Sequence, residues 1–189
     1  MISNLNKTSI KYKPSTMDST WKVWGTLIFD QNKSEASRNS FWKFILENEL
    51  VVVTKTMKLS KEGEISAILN LDRSAKSSFG SLELFQKSIL AARHQLQSLA
   101  PLSDHLGLRE YRKAVEKKTC FGFQPIVYGL FFEAYSIPIR QGLSYYADQY
   151  RHNVPELFQP SDGWSNLLTT SINQVISESL KDAPLIRAL

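Results

Sequence analysis

The sequence predicts an α+β fold: an N-terminal βαββ-type antiparallel sheet, compatible with the start of a ferredoxin-like unit, followed by a mostly helical C-terminal half. Three observations predict it. Residues 21–29 alternate in the manner of a strand. Residues 50–71 hold two further alternating runs on either side of a glycine turn. From Ser81 onward, apolar residues recur every three or four positions, which is the helical period.

Residues 1–19 are polar, carry Lys7, Lys11, Lys13 and Pro14, and show no period. They predict a flexible basic arm. A single domain over residues 20–189 follows, strand-rich over 20–75 and helix-rich over 81–183. In the first run Trp21, Val23, Leu27 and Phe29 share one face, and Trp24, Thr26 and Ile28 share the other. Ser34 then has the chemistry of a helix cap, and Phe41, Trp42, Ile45 and Leu46 line one side of a helix ending near Asn48. In residues 50–59, Val51, Val53, Met57 and Leu59 share a strand face. In residues 64–71, Ile65, Ala67, Leu69 and Leu71 do so. The intervening Ser60-Lys61-Glu62-Gly63 reads as a hairpin turn.

The helical half begins with a stripe of Leu82, Phe85, Ile89, Ala92, Leu96 and Leu99, closed by Pro101. Ser103 is placed to cap a helix bearing Leu108, Tyr111 and Val115. Pro125 suits the first turn of the next. Residues 126–135 are apolar all round, which predicts burial on most sides, as a helix or as a strand. A helix over residues 139–151 and a last one carrying Trp164, Leu168, Ile172, Val175 and Leu180 complete the chain.

With 189 residues, 42% of them hydrophobic and 22% charged, the chain has an ordinary globular composition. At that length roughly 70% of the unfolded surface can be buried. Its single cysteine excludes an internal disulfide, which fits a reducing, intracellular compartment: cytoplasm, nucleus or virion interior. No stretch approaches the roughly 20 apolar residues of a membrane span.

Signatures of chemistry are sparse. His94, His105 and His152 include no i, i+4 pair, and one cysteine cannot build a structural zinc site, so neither metal nor cofactor is expected. Asp104, His105 and Cys120 are the residues from which an unrecognised enzyme site is assembled most readily, since a cysteine nucleophile needs a base beside it. The pairs Glu47 and Glu49, and Glu62 and Glu64, read as solvated turn residues.

The basic features stand out more. The net charge is +5, which favours polyanions. On a helix Arg109, Arg112, Lys113 and Lys117 fall on one face, with Lys118 beside them. Such a ridge suits a phosphate backbone. Lys55 and Lys58 add charge at the expected hairpin, on opposite strand faces, with Arg73 and Lys76 following. Tyr145, Tyr146 and Tyr150 cluster as residues do where protein interfaces close. These features predict a non-enzymatic nucleic-acid-associated protein within a larger assembly. Next stands a self-assembling structural protein of the viral matrix or capsid-associated kind, and after it the enzyme. A protein partner or self-association is expected in the first two cases.

Overall fold

The computed structural model describes residues 35–78, 82–102, 104–153, 159–160 and 162–181. Among the described residues the regular structure is helical, with no strand. The helices are α1 (Glu35–Phe44), α2 (Leu50–Lys61), α3 (Ile65–Ser78), α4 (Leu82–Ser98), α5 (Leu106–Glu116), α6 (Gln124–Ala134), α7 (Ile139–Asn153) and α8 (Trp164–Lys181). A five-residue π-helical segment, Ile45–Glu49, joins α1 to α2 without a break. The helix expected to end at Asn48 therefore continues to Lys61.

The α+β expectation is thus wrong for the described chain. The hairpin over residues 50–71 is a pair of helices, α2 and α3. Its β-branched residues favour strands by small amounts, yet the residues that reach the core are Leu50, Val53, Thr54, Thr56 and Met57 in α2. Leu50, Val53, Thr54 and Met57 recur at helical steps of three, one and three, and Thr56 meets α6 beside them. In α3 the most buried apolar side chain is Ile68, at 1% exposure, and it lies off the alternating face altogether. Gly63 is not a hairpin residue but a helix stop. It adopts φ +75°, the Gly63 N–H donates to the Ser60 carbonyl at 3.1 Å, and the Glu64 N–H to the Leu59 carbonyl at 2.8 Å. That pair of bonds is the Schellman ending of a helix. The predicted strand at residues 21–29 and the predicted arm at 1–19 lie outside the described residues.

Helix α6 is the axis of the fold. Every residue from Gln124 to Phe132 is buried, as its uniformly apolar sequence requires. Helices α2, α4, α5 and α7 pack against it, and α2 also touches α3, α7 and α8. The closest approach is between α2 and α6. A Cβ added at Gly129 would lie 2.6 Å from the Thr56 Cβ and 2.9 Å from the Val53 carbonyl oxygen, so only glycine permits this crossing. Helix α8 is pinned by the Trp164 ring against Trp42, with centroids 4.7 Å apart.

Candidate functional site

Three polar clusters lie in or against the core, and each uses a side chain that one helix presents to another. The first is built on Asp72, fully buried on α3. It is in phase with Ile65, Ile68 and Leu69 on the inner face of that helix. Its carboxylate accepts the Phe121 N–H at 2.9 and 3.0 Å, the Gly122 N–H at 3.2 Å and the Tyr111 hydroxyl at 3.3 Å. The Phe123 N–H donates in turn to the Tyr111 oxygen at 2.8 Å. Burial pushes the Asp72 carboxyl up, and the amide bonds oppose it. The arrangement latches the connection between α5 and α6 onto α3.

Cys120 belongs to this latch. Its thiol donates to the Leu69 carbonyl at 3.7 Å, and burial, with the Asp72 charge second, pushes it up to about 11. A thiol held in that form is a poor nucleophile. His105 caps the other end of α5: its Nδ1 accepts the Leu108 N–H at 3.2 Å. The eleven residues of α5 separate the two, a span of about 16 Å at 1.5 Å per residue. Asp104 is exposed. The expected set of Asp104, His105 and Cys120 therefore does not assemble, because α5 holds its members at opposite ends.

The second cluster is at that cap. The His105 Nε2 bonds Glu133 at the end of α6, and Ser60 of α2 donates to the same carboxylate oxygen at 3.0 Å. With Nδ1 accepting, the proton sits on Nε2. Serine and histidine both donate to the glutamate, so the histidine is not a base aimed at the serine. These residues tie the ends of α2, α5 and α6 together. Gly107 permits the approach: a Cβ there would meet Leu130 at 2.9 Å and the Ser60 hydroxyl at 3.0 Å.

The third cluster surrounds Glu49, turned inward by the π-helical segment to 1% exposure. The Tyr146 hydroxyl donates to it at 2.7 Å, Tyr146 and Tyr150 oxygens lie 3.3 Å apart, and Tyr150 donates to the Gln124 side chain at 3.4 Å. Burial pushes the Glu49 carboxyl up to about 7, against the opposing hydrogen bonds of the two tyrosines. Glu49 is thus no turn residue, whereas Glu47 is exposed and faces Lys43 at 4.0 Å. Of the expected interface tyrosines, Tyr146 and Tyr150 are core residues at 0% and 1% exposure, and only Tyr145, at 37%, reaches the surface. Helical spacing explains this: Tyr146 and Tyr150 are one turn apart on the inner face of α7.

The cationic ridge of α5 also changes character. Arg109 and Lys113 both bond Glu110, each at 3.0 Å. The lysine bond, then the arginine bond, draws the Glu110 carboxyl below its usual value. Arg112 turns back, half-buried, to the Ala100 carbonyl at 3.5 Å. Lys117 is the C-cap, and Lys118 lies beyond it at φ +60°. These residues form no continuous positive stripe.

Lys55 and Lys58 behave in the opposite way. Expected on opposite strand faces, they are i, i+3 neighbours on α2 and both line one groove between α2 and α3. The groove has a volume of about 640 Å³. Leu59 of α2, its C-cap Glu62, Ala67, Asn70, Leu71 and Ser74 of α3, and Ser179 of α8 complete its walls. Neither lysine makes an ion pair among the described residues.

No three His, Cys, Asp or Glu side chains gather as metal ligands among the described residues, and no described helix is long and apolar enough to cross a membrane.

A protein-family model, UreF, matches residues 42–154, from the second half of α1 through α7. The chain belongs to the UreF family. Members are urease accessory proteins, chaperones of nickel insertion that work in complex with other urease accessory proteins. No curated protein and no solved structure matches the chain. The family overturns the expectation of a nucleic-acid-associated or viral structural protein. The pairing of Arg109 and Lys113 with Glu110 removes much of its physical basis. What survives is the coarser expectation of a protein partner. Asp72 and Glu133 were not singled out by the sequence, and Glu49, which the sequence places at a solvated turn, is buried. For Asp72 the signal was its position in phase with Ile65, Ile68 and Leu69.

Proposed function

We propose that the chain is a non-catalytic accessory protein of urease maturation, working in the cytoplasm by holding other accessory proteins in place while nickel is delivered to urease. Nickel is cargo of this process. The observation that carries the proposal is the UreF match over residues 42–154, which coincides with the helical body built around α6. The polar clusters agree with it. Asp72, Glu133 and Glu49 are each spent on joining helices, which makes a rigid body for presenting a surface.

The test is deletion of the gene in its own host with nickel supplied. Urease polypeptide is expected to accumulate with little nickel and little activity, and re-expression of the chain restores both. Unchanged urease activity and nickel content in the deletion strain would overturn the proposal.

A further inference from the structure

We propose that the α2–α3 groove is the seat of an acidic, amphipathic segment of another urease accessory protein, with Lys55 and Lys58 pairing its carboxylates. The inference rests on the accessory-protein role proposed above and assigns it a place on the molecule.

Charge complementarity selects the occupant. Lys55 is exposed and Lys58 half-buried on the same side of α2, and neither meets an acid among the described residues. Glu62 is the acidic residue among the groove's walls, so two cations stand against one anion. Lysines one turn apart match carboxylates three or four residues apart on a helix. Between them the floor is apolar: Leu59, Ala67 and Leu71 are only half-buried by this chain's own packing, leaving surface that an aliphatic side chain can cover. A volume of about 640 Å³ accommodates several side chains. The mixed floor argues for protein over nucleic acid, because a phosphate backbone has nothing to place on Leu59 and Leu71. It is a helix-in-groove arrangement with charged flanks. Both lysines lie away from the α2 face that packs on α6, so their replacement leaves the core intact.

The experiment uses the full chain co-expressed with the urease accessory proteins of its own host. The affinity of the purified chain for those partners is measured by titration calorimetry, for the wild type, for Lys55→Glu/Lys58→Glu, and for Arg109→Ala/Lys113→Ala. Thermal melting and light scattering are recorded for each. Reversal of the groove charges is expected to weaken partner binding at least tenfold, with unchanged melting and unchanged mass, and to remove much of the salt dependence of binding. The α5 variant is expected to change affinity less than twofold. If the wild type binds the accessory proteins and the groove variant binds equally well, the groove assignment is overturned while the accessory role stands. If the groove variant instead alters the chain's own mass in solution without altering partner affinity, the groove is a self-association face and the assignment falls. Failure of the wild type to bind any accessory protein overturns both.

Discussion

Helices α2 and α5 carry similar numbers of cationic residues and use them in opposite ways. On α5, Arg109 and Lys113 converge on Glu110, and Arg112 folds back on the Ala100 carbonyl. On α2, Lys55 and Lys58 have no acid partner among the described residues and overlook a groove. Their buried sides differ as well. Helix α5 is held by polar groups, Tyr111 against Asp72, whereas α2 is held by close packing, Thr56 against Gly129. A count of basic residues does not separate the two helices. The disposition of their partners favours α2, because a charge already paired at the surface has little left to offer another molecule.

The comparison can be broken most severely from the dry side of α2. Gly129→Val drives a branched side chain into Thr56 and the Val53 carbonyl. It is expected to lower stability by about 3 kcal/mol or more in urea denaturation. A loss below about 1 kcal/mol would show that α2 and α6 separate easily and that the groove is not rigidly founded.

A comparable effect is expected at the start of α2, as a function of pH. The Glu49 carboxyl is raised from 4.5 to about 7 in the folded chain. Between those values the folded state keeps a proton that the unfolded state has lost. This contribution is therefore fully present below pH 4.5, declines as pH rises through about 7, and is absent above that. Its size is about 3 kcal/mol at one pKa unit per 1.36 kcal/mol. Glu49→Gln should remove this slope, read as the difference between wild-type and variant unfolding free energies from pH 4 to pH 8. Parallel curves would contradict the burial of Glu49 among Tyr146 and Tyr150.

The wet sides come next. Lys55→Glu/Lys58→Glu is expected to cost at least about 1.4 kcal/mol of partner affinity, the tenfold loss stated above, with fold stability within about 0.5 kcal/mol of wild type. Smaller still is the end of α5. Lys118 is a non-glycine residue at φ +60°, and its N–H bonds the Val115 carbonyl while the Thr119 N–H bonds that of Ala114. Lys118→Gly should therefore stabilise the chain by about 0.5 to 1 kcal/mol. A loss of phosphate affinity is not expected from it, since Lys118 belongs to a helix ending and not to a ridge.

Most of the helical half of the molecule was legible in the sequence because its apolar stripes have one reading, whereas residues 126–135, apolar all round, fit a helix or a strand. Pro125 at the head of α6 and the Trp164-Leu168-Ile172-Val175 stripe of α8 lead directly to the observed elements. The hairpin error has a physical origin. Residues 65–71 carry apolar side chains at 65, 67, 68, 69 and 71, which satisfy both a period of two and a helical period. β-Branched content then tips a short run toward strand. Tertiary burial decides otherwise, through Ile68 and Asp72. Gly63 was equally ambiguous, since a left-handed glycine serves a hairpin or a Schellman ending.

The groove was half legible. Lys55 and Lys58 were singled out, but strand geometry separated them and helix geometry unites them. Glu49 was concealed by the π-helical segment, which shifts the helical phase and turns inward a residue that the sequence pattern places at a solvated turn.

The most direct measurement is the nickel content of urease purified from hosts whose only copy of this chain carries Lys55→Glu/Lys58→Glu or Arg109→Ala/Lys113→Ala. Equal amounts of each folded variant are confirmed first. The groove variant is expected to leave urease largely without nickel, and the α5 variant to leave it filled as in the wild type. Full nickel loading with the groove variant, or loss of nickel with the α5 variant alone, would contradict the account.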